Sequence, residues 1–161
     1  MRSRVVLASS AVAVVGAAGV VVNAAQADQD AAAEGKQVAA RVTVVEHAVS
    51  DAVVDLGPEG DSAGDLLAFA NPIYDKANAK KVGRDQGSCV RTVVGKAWQC
   101  SWTTWLGNGS LVVEGPFYDA KDSVLAITGG TGAYSSARGV MHLHTRNASG
   151  TLIVFRFDVH S

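Results

Sequence analysis

AWQCSWTTWLGNGSLVVE, residues 97–114, is the stretch that decides the fold. Tryptophan, threonine, valine and leucine crowd it, and those side chains favour the pleated, half-buried surface of a sheet. Trp98, Cys100, Trp102 and Thr104 share one parity and so one face of a strand. Asn108-Gly109 is the strongest turn signal in the chain and joins Ser101–Trp105 to Ser110–Glu114 as a hairpin.

The same reading extends in both directions. Upstream, Cys89–Val94 is a strand that turns at Gly95-Lys96 into Ala97–Leu106. Before it come Val42–Val45, ending in Glu46 and His47, then Ala52–Leu56, a loop at Gly57–Asp61, and Gly64–Asn71, which Pro72 ends or edges. Lys76, Lys80, Lys81 and Arg84 follow and read as a solvated loop. Downstream, Gly115-Pro116-Phe117-Tyr118 breaks the run. Ser123–Thr128, Arg138–Thr145 and Thr151–His160 are further strands, the last alternating through Ile153, Phe155, Phe157 and Val159. No amphipathic helix is expected after residue 40. Short strands with Gly and Asn turns indicate an all-β barrel or sandwich.

Composition sets the outer limits. A chain of 161 residues makes one domain. Arg2 and Arg4, an apolar run from Val5 to Val22 and Ala25-Gln26-Ala27 have the form of a secretory signal over 1–27. Residues 28–39 read as a flexible leader and 40–161 as the barrel domain. Losing Arg2 and Arg4 leaves 12 Lys+Arg against 15 Asp+Glu, a mildly acidic domain with no footprint for nucleic acid. No membrane contact is expected once the signal is cleaved. Cys89 and Cys100 suit a disulfide in an exported protein. A two-residue turn at Gly95-Lys96 would leave the cysteines diagonal. A four-residue turn over Val93–Lys96 would pair Thr92 with Ala97 and put Cys89 opposite Cys100, and this register is preferred.

The glycines of Leu125–Gly139, LAITGGTGAYSSARG, hold no phosphate. They lack the Lys-Ser/Thr of a P-loop and the spacing of a dinucleotide site, and no helix follows. A close passage of two strands explains them. His142 and His144 share a strand face, but no third ligand stands at recognisable spacing, so neither a metal nor a cofactor is expected.

Several words of the sequence carry a resemblance. These are Gly64-Asp65-Leu66, Phe69-x-Asn71-x-x-Tyr74, Val82-Gly83, Gly87-x-Cys89-Val90, Val113-x-Gly115-Pro116-Phe117 and Asp122-Ser123 with Leu125–Gly130. In this order they resemble the allene oxide cyclase barrel family, and Tyr134-x-x-Ala137-Arg138-Gly139 is similar to the dirigent version. The resemblance implies an eight-stranded antiparallel closed barrel, lipocalin-like and often trimeric, with an apolar cavity. It implies catalytic roles for Glu46, Asn71 (as one of a pair of asparagines holding a water) and Cys89, and a pocket contact for Phe69. Phe117 stands where the family has a tyrosine. Ala48 replaces the second asparagine, and Ser50 is followed by Asp51 instead of proline.

Trp98, Trp102, Phe117 and Arg138 complete the candidate ligand contacts. If Glu46 points inward, burial raises its pKa unless a cation such as Arg91 pairs with it. The expected ligand is an apolar small molecule, an oxygenated fatty acid or a phenylpropanoid. Three functions compete: a cyclase or isomerase that shapes its substrate, a dirigent-like guide that orients a ligand made elsewhere, and a structural barrel with a filled interior.

Overall fold

The structure is a computed structural model that describes residues 40–160. The signal and leader segments, 1–27 and 28–39, lie outside the described residues. Ten strands occur among those described: β1 (Ala40–His47), β2 (Ala52–Val54), β3 (Leu66–Phe69), β4 (Pro72–Asp75) and β5 (Lys81–Val93), then β6 (Ala97–Leu106), β7 (Gly109–Tyr118), β8 (Ser123–Gly132), β9 (Arg138–Thr145) and β10 (Leu152–His160). All described pairings are antiparallel. From β5 to β10 each strand pairs with the next, β10 pairs with β1, β1 with β4, and β4 with β5, so the sheet closes. β3 and β4 lie end to end along one edge of β5 with Ala70-Asn71 between them, so they form a single stave. The barrel therefore has eight staves, as the resemblance implied.

One end of the barrel is split. β1 stops at His47, while β3 continues past it along β5. The outer edge of β3 is taken by the short strand β2 instead of by β1. This leaves a mouth between β2/β3 and the β1–β10 pair.

Strand parity fills the interior. Trp98, Cys100, Trp102 and Thr104 of β6 are buried, and so are Phe155, Phe157 and Val159 of β10. Each fully buried phenylalanine contributes on the order of 2 kcal/mol through lost apolar surface. Leu111 and Val113 of β7, Leu125 and Ile127 of β8 and Met141 of β9 close the core below the mouth.

The β5–β6 register places Cys89 opposite Cys100, and the two are bonded. The chain turns through Val94-Gly95-Lys96 with Val93 paired to Ala97. Thr92 is absorbed as a bulge instead of pairing with Ala97. A closed loop of this length is worth about 3 kcal/mol in the chain-entropy account.

Four local expectations are corrected. Lys81–Ser88 is strand, not loop: Lys81, Arg84 and Gln86 point outward while Asp85 is buried. Pro72 opens a new strand after the break at Asn71. β7 runs through Gly115–Tyr118, because the β8 pairing has stopped at Glu114 and Pro116 is paired on the β6 side alone. The tight turn is Gly107-Asn108, with Gly109 paired to Leu106. Gly109 serves packing: a Cβ there would stand 2.1 Å from the carbonyl oxygen of Thr131.

Candidate functional site at the barrel mouth

Asn71 sits at the break between β3 and β4, where its backbone exchanges two hydrogen bonds with Asp85 of β5 (3.1 and 2.9 Å). Its side chain fastens the chain leaving β1. Oδ1 accepts from Val49 N, Ser50 N and Ser50 Oγ, each at 3.0 Å. Nδ2 donates to Glu46 Oε1 and to Asp51 Oδ1, both at 2.8 Å. The amide has two donors and a two-lone-pair acceptor, so this capacity is fully used. Asp65 ties the far end of the same connection, accepting from Leu56 N (2.8 Å) and Ser62 N (2.7 Å). These bonds hold its carboxyl below the usual range.

Behind Asn71 two carboxyls meet. Glu46 is the last inward residue of β1 and is 4% exposed; Asp85, inward on β5, is 1% exposed. The charge of Asp85 disfavours ionisation of Glu46 and no cation among the described residues offsets it, so the pair keeps at least one proton. Asp85 Oδ2 is buried without a hydrogen-bond partner among the described residues. Burial is the main cause that lifts Glu46 to about 9, reinforced by the charge of Asp85. Burial likewise lifts Asp85 to about 7. Arg91 does not relieve them. It lies over the Trp98 ring at 4.0 Å and pairs with Asp61 (2.6 Å) and Asp119 (2.7 Å).

Glu46 and Asp51 form the polar rim of a cavity of about 50 Å³ at the mouth. Its apolar walls are Phe69 and Leu67 of β3, the Cys89–Cys100 disulfide, Trp102, Phe117, and Leu143, Ile153 and Phe155 from the opposite side. A space of that size holds a few waters or one edge of a ring. Trp102 meets Phe69 edge-on at 5.9 Å and Phe155 at 5.6 Å.

Glu46, Phe69, Cys89, Trp102 and Phe117 thus come together, with Asn71 directly behind Glu46. Cys89 enters as half of a disulfide and carries no thiol. Trp98 is paired beside Phe117 but covered by Arg91, outside the cavity wall. Arg138 is far from the cavity: it starts β9 opposite His160, whereas the cavity lies at the other end of both strands, at Leu143 and Ile153. It donates to the Ala137 carbonyl at 2.7 Å. His142 and His144 are on the outer surface beside Asp158 and Asp122. The residue that sequence reading missed is Asp85. Its parity with Cys89 and Arg91 would have placed it inside, had Lys81–Ser88 been read as strand.

A family model described as dirigent-like protein matches residues 29–161. The chain belongs to the dirigent-like family. Among solved structures, this dirigent-like barrel is similar to a pyocyanin demethylase, with a TM-score of 0.67 and 24% identity over 74% of this chain and 99% of that one. A pterocarpan synthase dirigent protein aligns with a TM-score of 0.63 and 18% identity, over 75% and 94% of the two chains. An exo-specific intermolecular Diels–Alderase aligns with a TM-score of 0.62 and 13% identity, over 76% and 98%. At these identities the likeness is one of fold. The dirigent side of the sequence resemblance is the part that the family match carries.

Proposed function

We propose that this dirigent-like barrel is an exported protein that binds an apolar small molecule, phenylpropanoid-like or an oxygenated fatty acid, by its edge at the mouth. There it shapes the ligand for cyclisation or isomerisation. The observation that carries this reading is the buried Glu46 carboxyl, with no cation beside it among the described residues, at the rim of an aromatic-lined cavity. Glu46 gives its proton to the ligand atom on which negative charge develops, and Asp85 stabilises the uncharged acid beforehand by holding a carboxylate close to it. Two adjacent carboxylates out of water are unfavourable, so Glu46 then recovers a proton from the neighbouring position of the product, and the cycle is redox-neutral. The walls contribute orientation. A disulfide is in keeping with an oxidising compartment. Assembly as a homotrimer belongs to the same reading.

One observation favours a second reading, a dirigent-like guide without chemistry of its own. Asn71 has no free hydrogen-bonding capacity, and Ala48 supplies none, so the asparagine-held water of the allene oxide cyclases has no holder. Titration of tryptophan fluorescence with coniferyl alcohol and with an oxygenated C18 fatty acid separates the readings, since Trp102 reports from the wall. Quenching, with turnover of an allene oxide that is abolished in Glu46→Gln while binding persists, supports the enzyme. Quenching without turnover supports the guide. No quenching by either class overturns both and leaves a structural barrel.

A further inference from the structure

The cavity at the mouth is too small to enclose a whole ligand of either class. At about 50 Å³ it seats one edge of a ring, so the rest of the ligand lies outside, against what the mouth presents. The strand register shows what that is. Val53 of β2 pairs with Leu67 of β3, and Leu67 pairs with Cys89 of β5. Residues directly opposite each other in a sheet share a face, and Leu67 and Cys89 both line the cavity. Val53 therefore stands on the inward face, one strand beyond the cavity wall. It is nevertheless 60% exposed. β1 has ended at His47, and β2 has no neighbour but β3 among the described strands, so this valine is open to the mouth.

Its position is also fixed. Asp51, two residues before it, lines the cavity and accepts from Asn71 Nδ2 at 2.8 Å. Asp55, two residues after it, accepts from Gly60 N at 2.9 Å, and Asp65 accepts from Leu56 N at 2.8 Å. These bonds fasten β2 at both ends. Val53 and Leu67 thus make an apolar shelf continuous with the cavity. Neighbouring strands lie about 4.8 Å apart, a distance that about four methylenes of an extended chain span. Val54 pairs with Leu66 and faces away from the mouth, with 50% of its surface exposed.

We infer that Val53 is a specificity-determining residue of the mouth, forming with Leu67 a shelf for the aliphatic chain of a ligand whose other end occupies the cavity. This rests on the ligand-binding reading above and narrows it. The ligand carries an apolar chain of about four carbons or more outside the cavity. A fatty acid derivative or an alkylated phenol has such a chain; a bare phenylpropanoid lacks it.

Three phenols of increasing chain length test this by calorimetry at pH 7: 4-ethylphenol, 4-butylphenol and 4-hexylphenol. A fully buried methylene contributes about fourfold in affinity and one covered on a single side about twofold, so 4-hexylphenol is expected to bind at least about 10-fold more tightly than 4-ethylphenol. Val53→Ser is expected to weaken 4-hexylphenol at least about threefold and 4-ethylphenol less than about twofold. Val54→Ser, on the outer face of the same strand, is expected to leave both affinities as they are. Equal affinity across the series, no loss in Val53→Ser, or the same loss in both serine variants overturns the shelf, while binding of 4-ethylphenol keeps the ligand-binding reading standing. Failure of all three phenols to bind overturns both. Should Val53→Ser release β2, Val53→Thr keeps a β-branched strand former and replaces one methyl by a hydroxyl. Undiminished affinity for 4-hexylphenol in that variant overturns the shelf.

Discussion

At the scale of the residue, Glu46 concentrates the chemistry of this barrel and also makes its stability depend on pH. In the folded protein its carboxyl is raised from 4.5 to about 9, first by burial and then by Asp85. In the unfolded chain it ionises in the ordinary range. Between these values the folded state binds a proton that the unfolded state has lost, so stability is full below the unfolded pKa and falls as pH rises toward the folded one. Asp85, raised from 3.8 to about 7 by burial, acts in the same direction over the lower part of that window. Each proton so held gives a slope of about 1.4 kcal/mol per pH unit. The urea midpoint is therefore expected to drop between pH 5 and pH 8.5, and Glu46→Gln to flatten most of that drop. An equally steep decline in the variant would show that Glu46 is not the group holding the proton. Glu46 could be singled out in the sequence at the end of an apolar strand. Its partner could not, because the two are brought together only by β4, the strand that Pro72 hides and that pairs with both β1 and β5.

At the scale of the element, β8 shows what was legible and what was not. The glycines of Gly129–Gly132 read from sequence as a close passage of strands, and two of them are that. A Cβ on Gly130 would lie 2.3 Å from the Ser110 carbonyl oxygen and 2.5 Å from that of Tyr134, both backbone atoms that cannot yield cheaply. Gly129, one residue earlier, has nothing closer than Arg138 Nη1 at 3.9 Å. The sequence does not distinguish the two, because which glycine lies beneath its neighbour depends on the bulge that shifts the β7–β8 register between Val112 and Val113. Thermal melts make the difference measurable. Gly130→Ala should cost about 2 kcal/mol, as overpacking against rigid neighbours does, while Gly129→Ala should stay within about 0.5 kcal/mol. Equal melting temperatures for the two would refute the β7–β8 register. Strand parity succeeded where side chains alternate, as on β6 and β10. It failed on Lys81–Ser88, where Gly83, Asp85 and Gly87 occupy the inner face and Arg84, Gln86 and Ser88 the outer, leaving no apolar period to see.

At the scale of the whole molecule, closure depends on the pairing of the first and last described strands of the barrel. β1 and β10 match residue for residue from Ala40↔Val159 to His47↔Leu152, with Arg41 bonded to Asp158 at one end and Glu46 at the other. Phe155, opposite Val44, is at once part of this seam, part of the core and part of the cavity wall. The barrel therefore meets a conflict between filling its interior and leaving room for a ligand. Its cavity of about 50 Å³ is well below the several hundred cubic ångströms of ordinary ligand pockets. Phe155→Ala tests both sides of that conflict at once. Removing the ring should destabilise the fold by about 3–5 kcal/mol, read as a lower urea midpoint. It should also extend the cavity inward toward Phe157, which stands edge-on to Phe155 at 6.2 Å. If the mouth is the ligand site, the variant, held folded at low temperature, should accept bulkier ring ligands than the native protein. A destabilised variant with unchanged size tolerance would mean that ligands do not reach the wall at Phe155.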